Sequence, residues 1–264
     1  MREAKHSEIR KGTPFRYALR NDFPGRHGKL MRLAKDGHVV RVLQRWTDAD
    51  IENLKTFTQA LRQDGLRVPR YDVLLAPRWD RPGKAALYIV TESIGGERLD
   101  EIARPSQLDW ELPVSRQFYN AFYDTVDRFI TQLMTYYLRA MNHGGLLFSA
   151  MDESQFLYGA SKVARQPDVY FVDLDPTYKV FNAKAGASAY DEAKTYFEKP
   201  INILFEMELL HPEAPFPISK RSAIDYFRTC SAAFTDFYSK STPWWGRAPN
   251  FEHYQRMKTE MLSA

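Results

Sequence analysis

The sequence predicts an α+β chain in which a strand-rich N-terminal part is followed by a helix-rich C-terminal part. Three observations predict this class. Short apolar runs separated by turn residues dominate the first hundred residues, apolar residues recur at helical spacing over 115–142, and one strand pair interrupts the helical part directly after that helix. At 264 residues and 30.8 kDa, the chain is long enough to bury a sizeable core.

The N-terminal part begins with a predicted β-hairpin and a helix. Residues 29–45 alternate or run apolar on either side of the sequence KDG at 35–37, which is a tight-turn signal. The following helix has a candidate N-cap at Thr47 or Asp48 and ends at Gly65. Its apolar residues fall at helical spacing: Ile51, Leu54, Phe57 and Leu61. Two further strands are expected at 70–77 and 86–93.

The C-terminal part is predicted to begin with a glycine break and a short helix at 94–102, followed by a loop at 103–113. The long helix over 115–142 carries a wide apolar stripe typical of a buried helix. The stripe consists of Phe118, Phe122, Val126, Phe129, Ile130, Leu133, Tyr137 and Met141. A hairpin formed by SQFLYG (154–159) and DVYFVDLD (168–175) follows, and helices are expected over 187–264, with a break or kink at Pro200.

The composition is that of a globular protein, with 44% hydrophobic and 27% charged residues. The net charge of +4 is modest, and the basic clusters 16–20 and 26–35 are more typical of a solvated face than of a nucleic-acid interface. The single cysteine, Cys230, excludes an internal disulfide, and the six histidines show no metal-binding spacing. No signal peptide and no apolar run long enough for a membrane helix is visible, so we expect a cytoplasmic protein.

Two motifs suggest a family. In VYFVDLDP, residues 169–176, an apolar strand ends in Asp173 and Asp175, and a strand end holds a carboxylate with little freedom for a hard cation. In LYIVTESIGGERLDEI, residues 87–102, a strand ends in an acidic residue and leads through glycines to a leucine-containing segment. With the element order, these motifs resemble the protein-kinase-like superfamily in its broad sense, which includes the aminoglycoside phosphotransferases.

The resemblance implies a two-lobe kinase-like fold with a β-rich N-lobe and a helical C-lobe that carries a catalytic-loop hairpin. It implies an N-terminal extension over 1–24, the N-lobe over 25–95 and the C-lobe over 96–264. The cofactors would be ATP and Mg²⁺, with Asp173 and Asp175 as metal ligands. Backbone groups around Thr91, Glu92 and Ser93 would pair with the adenine.

The same resemblance shows departures in the catalytic residues. Arg41 stands where the family has a phosphate-contacting lysine, with Glu52 on the next helix as its expected partner, and arginine's planar fork does not replace a lysine point charge. The glycine-rich loop is reduced to PGRHGK at 24–29. In HGGLLFSAMDESQFLYG, residues 143–159, Gln155 occupies the place of the metal-binding asparagine.

The catalytic aspartate is missing from that loop in either alignment. Counting back from Gln155, Ala150 occupies its position; counting from HGG, Gly145 does, and the loop carries an insertion. Asp152 is the candidate base, three residues before Gln155 instead of five, and Glu153 is open to the same objection.

Two functions therefore follow from the resemblance. The first is a degenerate, pseudokinase-like domain that binds nucleotide weakly and acts through a protein partner. The alternative is an active ATP- and Mg²⁺-dependent phosphotransferase, acting on a small molecule or a protein, with a remodelled catalytic loop. A helical interaction module without nucleotide binding is a third hypothesis if the element order is coincidental.

Overall fold

The computed structural model describes residues 10–11, 19–20, 31–34, 38–43, 46–77, 83–143, 146–148, 155–174, 180–182, 199–226 and 259. Over these residues the chain is α+β, with a strand-rich N-terminal lobe and a C-terminal lobe built around a long helix. This confirms the predicted fold class. None of the helices described is both long and apolar enough to cross a membrane.

The N-terminal lobe contains a six-stranded sheet. Its strands are β1 (Arg10–Lys11), β2 (Leu19–Arg20), β3 (Met31–Ala34), β4 (His38–Leu43), β5 (Tyr71–Pro77) and β6 (Ala85–Glu92). Their order across the sheet is β1-β5-β6-β4-β3-β2, and all pairs are antiparallel except β1 with β5. The predicted hairpin and both later strands are therefore confirmed, while β1 and β2 lie inside the segment predicted as an N-terminal extension.

Both faces of this sheet are apolar because the side chains of β4 and β6 alternate between two buried clusters. One face buries Val40, Val42, Tyr88 and Val90. The other face joins the main core, which includes Leu43, Leu87 and Ile89 and the helix α1 (Asp48–Gln63). Arg41 follows the same alternation and therefore points to the main-core side of β4.

The first helix, α1, is fixed at both ends. Thr47 is the N-cap, and its hydroxyl accepts from the Asp50 N–H while the Asp50 carboxylate accepts from the Thr47 N–H at 2.6 Å, which is a capping box. Gly65 follows the helix with φ +84°, a conformation that glycine adopts without strain. Asp64 is bound by Arg139 at 2.7 Å, so the end of α1 is tied to the C-terminal lobe.

A second sheet joins the two lobes. It contains β7 (Ile94–Arg98), β9 (Phe156–Ser161) and β10 (Asp168–Phe171) in the order β10-β9-β7. The expected hairpin of β9 and β10 is confirmed, but the short helix predicted within 94–102 is wrong, because 94–98 form a strand and 99–102 form a turn. Gly96 of β7 pairs with Gly159 of β9, and the two backbones approach closely. A Cβ on Gly96 would lie 2.1 Å from the Tyr158 carbonyl oxygen, so glycine is needed at this position of the strand.

The C-terminal lobe is organised around α3 (Pro113–His143), which confirms the predicted long helix. A short helix, α2 (Gln107–Glu111), precedes it in the segment predicted as a loop. The apolar stripe of α3 is buried from Phe122 to Tyr137, whereas Phe118 is 45% exposed. Two small strands, β8 (Leu146–Phe148) and β11 (Val180–Asn182), form a separate antiparallel pair that the sequence did not predict.

Two further helices pack beside α3. The helix α4 (Lys199–Leu210) has Pro200 as its second residue, and proline is tolerated in a first turn. The segment before the break predicted at Pro200, residues 183–198, lies outside the described residues. The helix α5 spans residues 217–226. Its first turn is held by Asp127 of α3, which accepts from the backbone N–H of Ile218 at 2.9 Å and of Ser219 at 2.7 Å. A side chain of one helix thus caps another.

A buried histidine follows α4. His211 is 0% exposed, and its Nδ1 lies 3.3 Å from the hydroxyl of Tyr123, which donates to Glu213 at 2.5 Å. Burial lowers the pKa of His211, and the nearby Glu213 carboxylate only partly opposes this effect. Its Nε2 has no hydrogen-bond partner in the described part of the chain, so a proton there would be buried without an acceptor.

We therefore expect the free energy of unfolding to fall as the pH is lowered through the range below about 6.5. The unfolded chain binds the proton more readily than the folded one, so this stability is fully present above pH 6.5 and is lost as pH falls towards the lowered pKa. The slope from this one group is at most about 1.4 kcal/mol per pH unit. Urea unfolding at pH 7.5, 6.5 and 5.5 measures it, and an equal slope in His211→Phe would contradict the assignment.

Candidate functional site

A small cavity lies where the two sheets meet. It has a volume of about 160 Å³ and is lined by β4, β6, the segment between β6 and β7, β9 and the residues after β10. The lining residues are Val39, Arg41, Pro69, Ile89, Thr91, Glu92, Ser93, Ile94, Leu157, Val172 and Leu174. Its size is below that of pockets for drug-sized ligands, about 300–1,000 Å³, and suits one flat ring system.

The walls of this cavity are apolar and come from both lobes. Val39 and Ile89 belong to the six-stranded sheet, and Leu157 and Val172 belong to the second sheet and the residue after it. A flat apolar group between these walls would lose water on both faces. None of these four residues was predicted from the sequence. For two of them the spacing was informative: Val39 lies two residues before Arg41 and Leu157 two residues after Gln155, and residues two apart lie on the same face of a strand.

The edge of the cavity is formed by the residues predicted to pair with adenine. Thr91 and Glu92 end β6, Ser93 separates β6 from β7, and all three line the cavity. Neither the N–H nor the C=O of Ser93 makes a backbone hydrogen bond with the described part of the chain. The Glu92 carboxylate is turned to the neighbouring segment, where it accepts from the backbone N–H of Arg70 at 2.8 Å.

One lining residue of the cavity, Arg41, forms an ion pair with a residue beside the lining. Arg41 of β4 contacts Asp173, which comes two residues after β10, and the two side chains are only 9% and 14% exposed. The structure therefore brings together the predicted phosphate-contacting residue and the predicted metal ligand. Charge pairs this far from water have low screening, so the two groups interact strongly.

The other predicted site residues divide into two sets. Glu52 is a correction: its side chain is 55% exposed and binds Lys55 at 3.1 Å, not Arg41. The reason is helical geometry, because Ile51 faces the core and the next residue is rotated about 100° away from it. Gln155 lies at the start of β9, and its carbonyl accepts from the Val172 N–H at 3.0 Å, one residue before Asp173.

The remaining candidates lie outside the described residues. These are the proposed base Asp152, its neighbour Glu153, the alternative positions Ala150 and Gly145, the second acidic residue Asp175 and the glycine-containing segment 24–29. Their roles remain predictions from the sequence.

The fit of the expected cofactors can be tested against the described residues. A flat base suits the apolar walls and the backbone edge at Ser93. Magnesium prefers several oxygen ligands, and in the described part of the chain Asp173 is bound by Arg41 and no group of three His, Cys, Asp or Glu side chains converges. The base therefore fits this site, whereas the described residues do not by themselves form a magnesium site.

The strand order places this site in a recognisable class of fold. In the N-terminal lobe the strands lie in the spatial order β2-β3-β4-β6-β5, and along the chain α1 lies between β4 and β5. The strand β6 then leads through β7 to a lobe with a long helix and a hairpin. This is the two-lobe arrangement of the protein-kinase-like fold, with the cavity between the lobes.

Comparison with known proteins finds similar solved structures, and two of them are described here. A structure of WaaP in complex with acyl carrier protein is 14% identical, with 93% of this chain and 90% of that chain covered and a TM-score of 0.42. The GDP complex of wild-type aminoglycoside 2′-phosphotransferase-IIIa is 11% identical, with 88% and 89% covered and a TM-score of 0.35. No family model and no curated protein sequence matches the chain.

Proposed function

We propose that the chain is a degenerate kinase-like domain that binds the base of a nucleotide between its lobes. The observation that carries this proposal is the cavity itself. Apolar side chains from both lobes form its walls, and the backbone of Ser93 at its edge is not used in either sheet. An unpaired N–H and C=O beside apolar walls can recognise a purine, which presents both acceptors and donors along one edge.

The degenerate character is supported by the polar end of the site. Asp173, the expected metal ligand, is compensated by the Arg41 guanidinium, which presents a rigid fork where a lysine would present a point charge. The loop before Gln155 also lacks an aspartate in the expected position. A nucleotide bound here would therefore depend more on its base than on a magnesium-bridged phosphate. Tight binding is not expected, since a cavity of about 160 Å³ buries little beyond the base.

A domain of this kind would act through protein contacts. Three apolar side chains along 108–114 are more than half exposed, namely Leu108, Leu112 and Val114. Exposed apolar residues near one another are typical of interaction surfaces, and this observation is consistent with a protein partner.

The alternative is an active phosphotransferase, and one observation favours it. Arg41, which lines the cavity, contacts Asp173, which lies between the lining residues Val172 and Leu174 in the sequence, and phosphates that follow the base would meet this pair. An arginine can contact both a carboxylate and a phosphate, so exchange of Asp173 for a ligand phosphate would free the carboxylate.

Thermal unfolding with adenosine, ATP and MgATP distinguishes these functions. Adenosine carries no phosphate, so it tests only the cavity of about 160 Å³ between the lobes, which we call the base cavity. We expect it and ATP to stabilise the folded chain with or without Mg²⁺, by about 2.7 kcal/mol at a concentration one hundredfold above Kd. Leu157→Trp should remove this stabilisation by filling the cavity, whereas Leu209→Trp, on an exposed position of α4, should retain it.

Three results would change the conclusion. No stabilisation by either ligand at millimolar concentration would rule out nucleotide binding. ADP formation that is abolished by Asp173→Ala would favour the active phosphotransferase. Turnover that survives both Asp152→Ala and Glu153→Ala would remove these two residues as candidate bases.

A further inference from the structure

A second, larger cavity lies on the other side of the segment 67–71. It has a volume of about 490 Å³ and is formed by the end of α1, the start of β5, the end of β6 and the turn between β9 and β10. Its lining includes three arginines, Arg62, Arg67 and Arg70, and a single acidic residue, Glu92. We refer to it as the arginine cavity.

The arginine cavity carries excess positive charge. The side chain of Arg70 is exposed and makes no ion pair in the described part of the chain. Arg67 binds Asp168 at 2.9 Å, but its side chain is 63% exposed, and Arg128 also lies 3.8 Å from that carboxylate. One aspartate outside the lining is therefore shared by two arginines, and among the described lining residues one carboxylate, that of Glu92, accompanies three arginines.

The acidic residue of the cavity is already engaged. The Glu92 carboxylate accepts from the Arg70 backbone N–H at 2.8 Å, so it fixes the position of the segment without pairing with the Arg70 guanidinium. The Glu92 N–H in turn donates to the Arg70 carbonyl at 2.9 Å. This double contact holds the residue before β5 against the end of β6.

Arg62 is the most buried of the three arginines. It donates to the Pro69 carbonyl at 3.2 Å, and its guanidinium lies 5.8 Å from the centre of the Tyr71 ring. Burial lowers the pKa of Arg62, and the nearby Tyr71 and Glu92 oppose this effect. A negatively charged ligand would offset the same cost, because an opposite charge stabilises a cation that has lost water.

We propose that the arginine cavity binds a small polyanion with two or more phosphate or carboxylate groups. Guanidinium groups recognise both through paired, charge-assisted hydrogen bonds, and three arginines among the lining residues suit a ligand with more than one anionic group. The volume falls within the range of about 300–1,000 Å³ of small-molecule sites. The site is separate from the base cavity, and this proposal does not depend on nucleotide binding.

The test is calorimetric titration of the full chain with inorganic pyrophosphate and, separately, with citrate, at constant ionic strength. We expect saturable binding that Arg70→Gln weakens at least about tenfold, since a hydrogen bond between charged groups contributes about 1.5–3 kcal/mol. Arg67→Gln gives a second variant of the same wall. The matched control is Arg221→Gln, which removes an equal charge from an exposed position of α5 and should leave binding unchanged.

The two probes distinguish the ligand chemistry. Binding of both supports a site for polyanions in general, and binding of pyrophosphate alone supports a phosphate ligand. Equal affinity in the parent chain and in both Arg70→Gln and Arg67→Gln would overturn the proposal, as would a signal that never saturates. Loss of binding in Arg41→Gln but not in Arg70→Gln would also overturn it, because the anion would then lie between the lobes. Adenosine affinity should be unchanged in Arg70→Gln whichever way these results fall.

Discussion

Replacement of Asp127 by alanine is expected to lower the free energy of unfolding by about 3 kcal/mol, with cooperative unfolding at a lower urea concentration. Asp127 is 4% exposed and accepts three hydrogen bonds at the start of α5, from two backbone N–H groups and from the Ser219 hydroxyl at 2.6 Å. A buried donor left without an acceptor costs about 1–3 kcal/mol, and loss of an N-cap costs about 0.5–2 kcal/mol.

Two variants sharpen this expectation. Asp127→Asn keeps one acceptor oxygen but loses the charge that favours a helix N-terminus, so its loss should be smaller than that of alanine. Asp124→Ala removes an exposed carboxylate from the same helix, one turn earlier, and should change stability by less than about 0.5 kcal/mol. Equal losses in Asp124→Ala and Asp127→Ala would show that the cap does not hold α5.

Breaking the ion pair between the lobes should have an effect of similar size. Arg41→Ala or Asp173→Ala leaves the other charge in a nearly buried position, and removal of one partner of a buried pair costs about 3–5 kcal/mol. Because both side chains keep some exposure, we expect about 2–4 kcal/mol for each single variant, measured by urea unfolding.

A double-mutant cycle isolates the interaction between the two charges. The double variant with Arg41→Ala and Asp173→Ala removes both charges, so its loss of unfolding free energy should be clearly smaller than the sum of the single losses. Arg41→Lys retains the charge without the planar fork and should have an intermediate effect. Additive losses within about 0.5 kcal/mol would mean that the contact does not couple the lobes.

The fold could be predicted because its elements are strongly periodic. The stripe of α3, the cap at Thr47 and the alternation of β4 are local patterns, and local patterns survive in the folded chain. The segment at Gly95 and Gly96 could not be assigned from local pattern. Glycines break helices, but here they form a strand. The neighbouring strand β9 approaches Gly96 too closely for any side chain, and this close approach is a property of the tertiary structure.

Sequence motifs identified some residues of the candidate site, whereas residues that come together only through tertiary packing were missed. Arg41 and the three residues from Thr91 to Ser93 were chosen by resemblance and line one cavity, and Asp173, chosen in the same way, contacts Arg41. Their functional roles remain predictions. The predicted pairing of Glu52 with Arg41 was wrong because each residue of a helix is rotated about 100° from the one before it, so Ile51 faces the core and Glu52 does not. No sequence motif marks the arginine cavity, because its lining combines 62–71 with the end of β6 and the turn between β9 and β10, which are distant in the sequence.

Ser93 is the only residue between the last strand of one sheet and the first strand of the other. A second backbone connection exists at Arg67, whose carbonyl accepts from the Phe171 N–H at 2.9 Å. Two such points define a line about which the sheets can rotate relative to each other. Rotation of the sheets about this line would change the dihedral angles of Ser93, so the residue that would contact a bound base would also be one of the pivots. Binding and domain motion would share a single peptide unit.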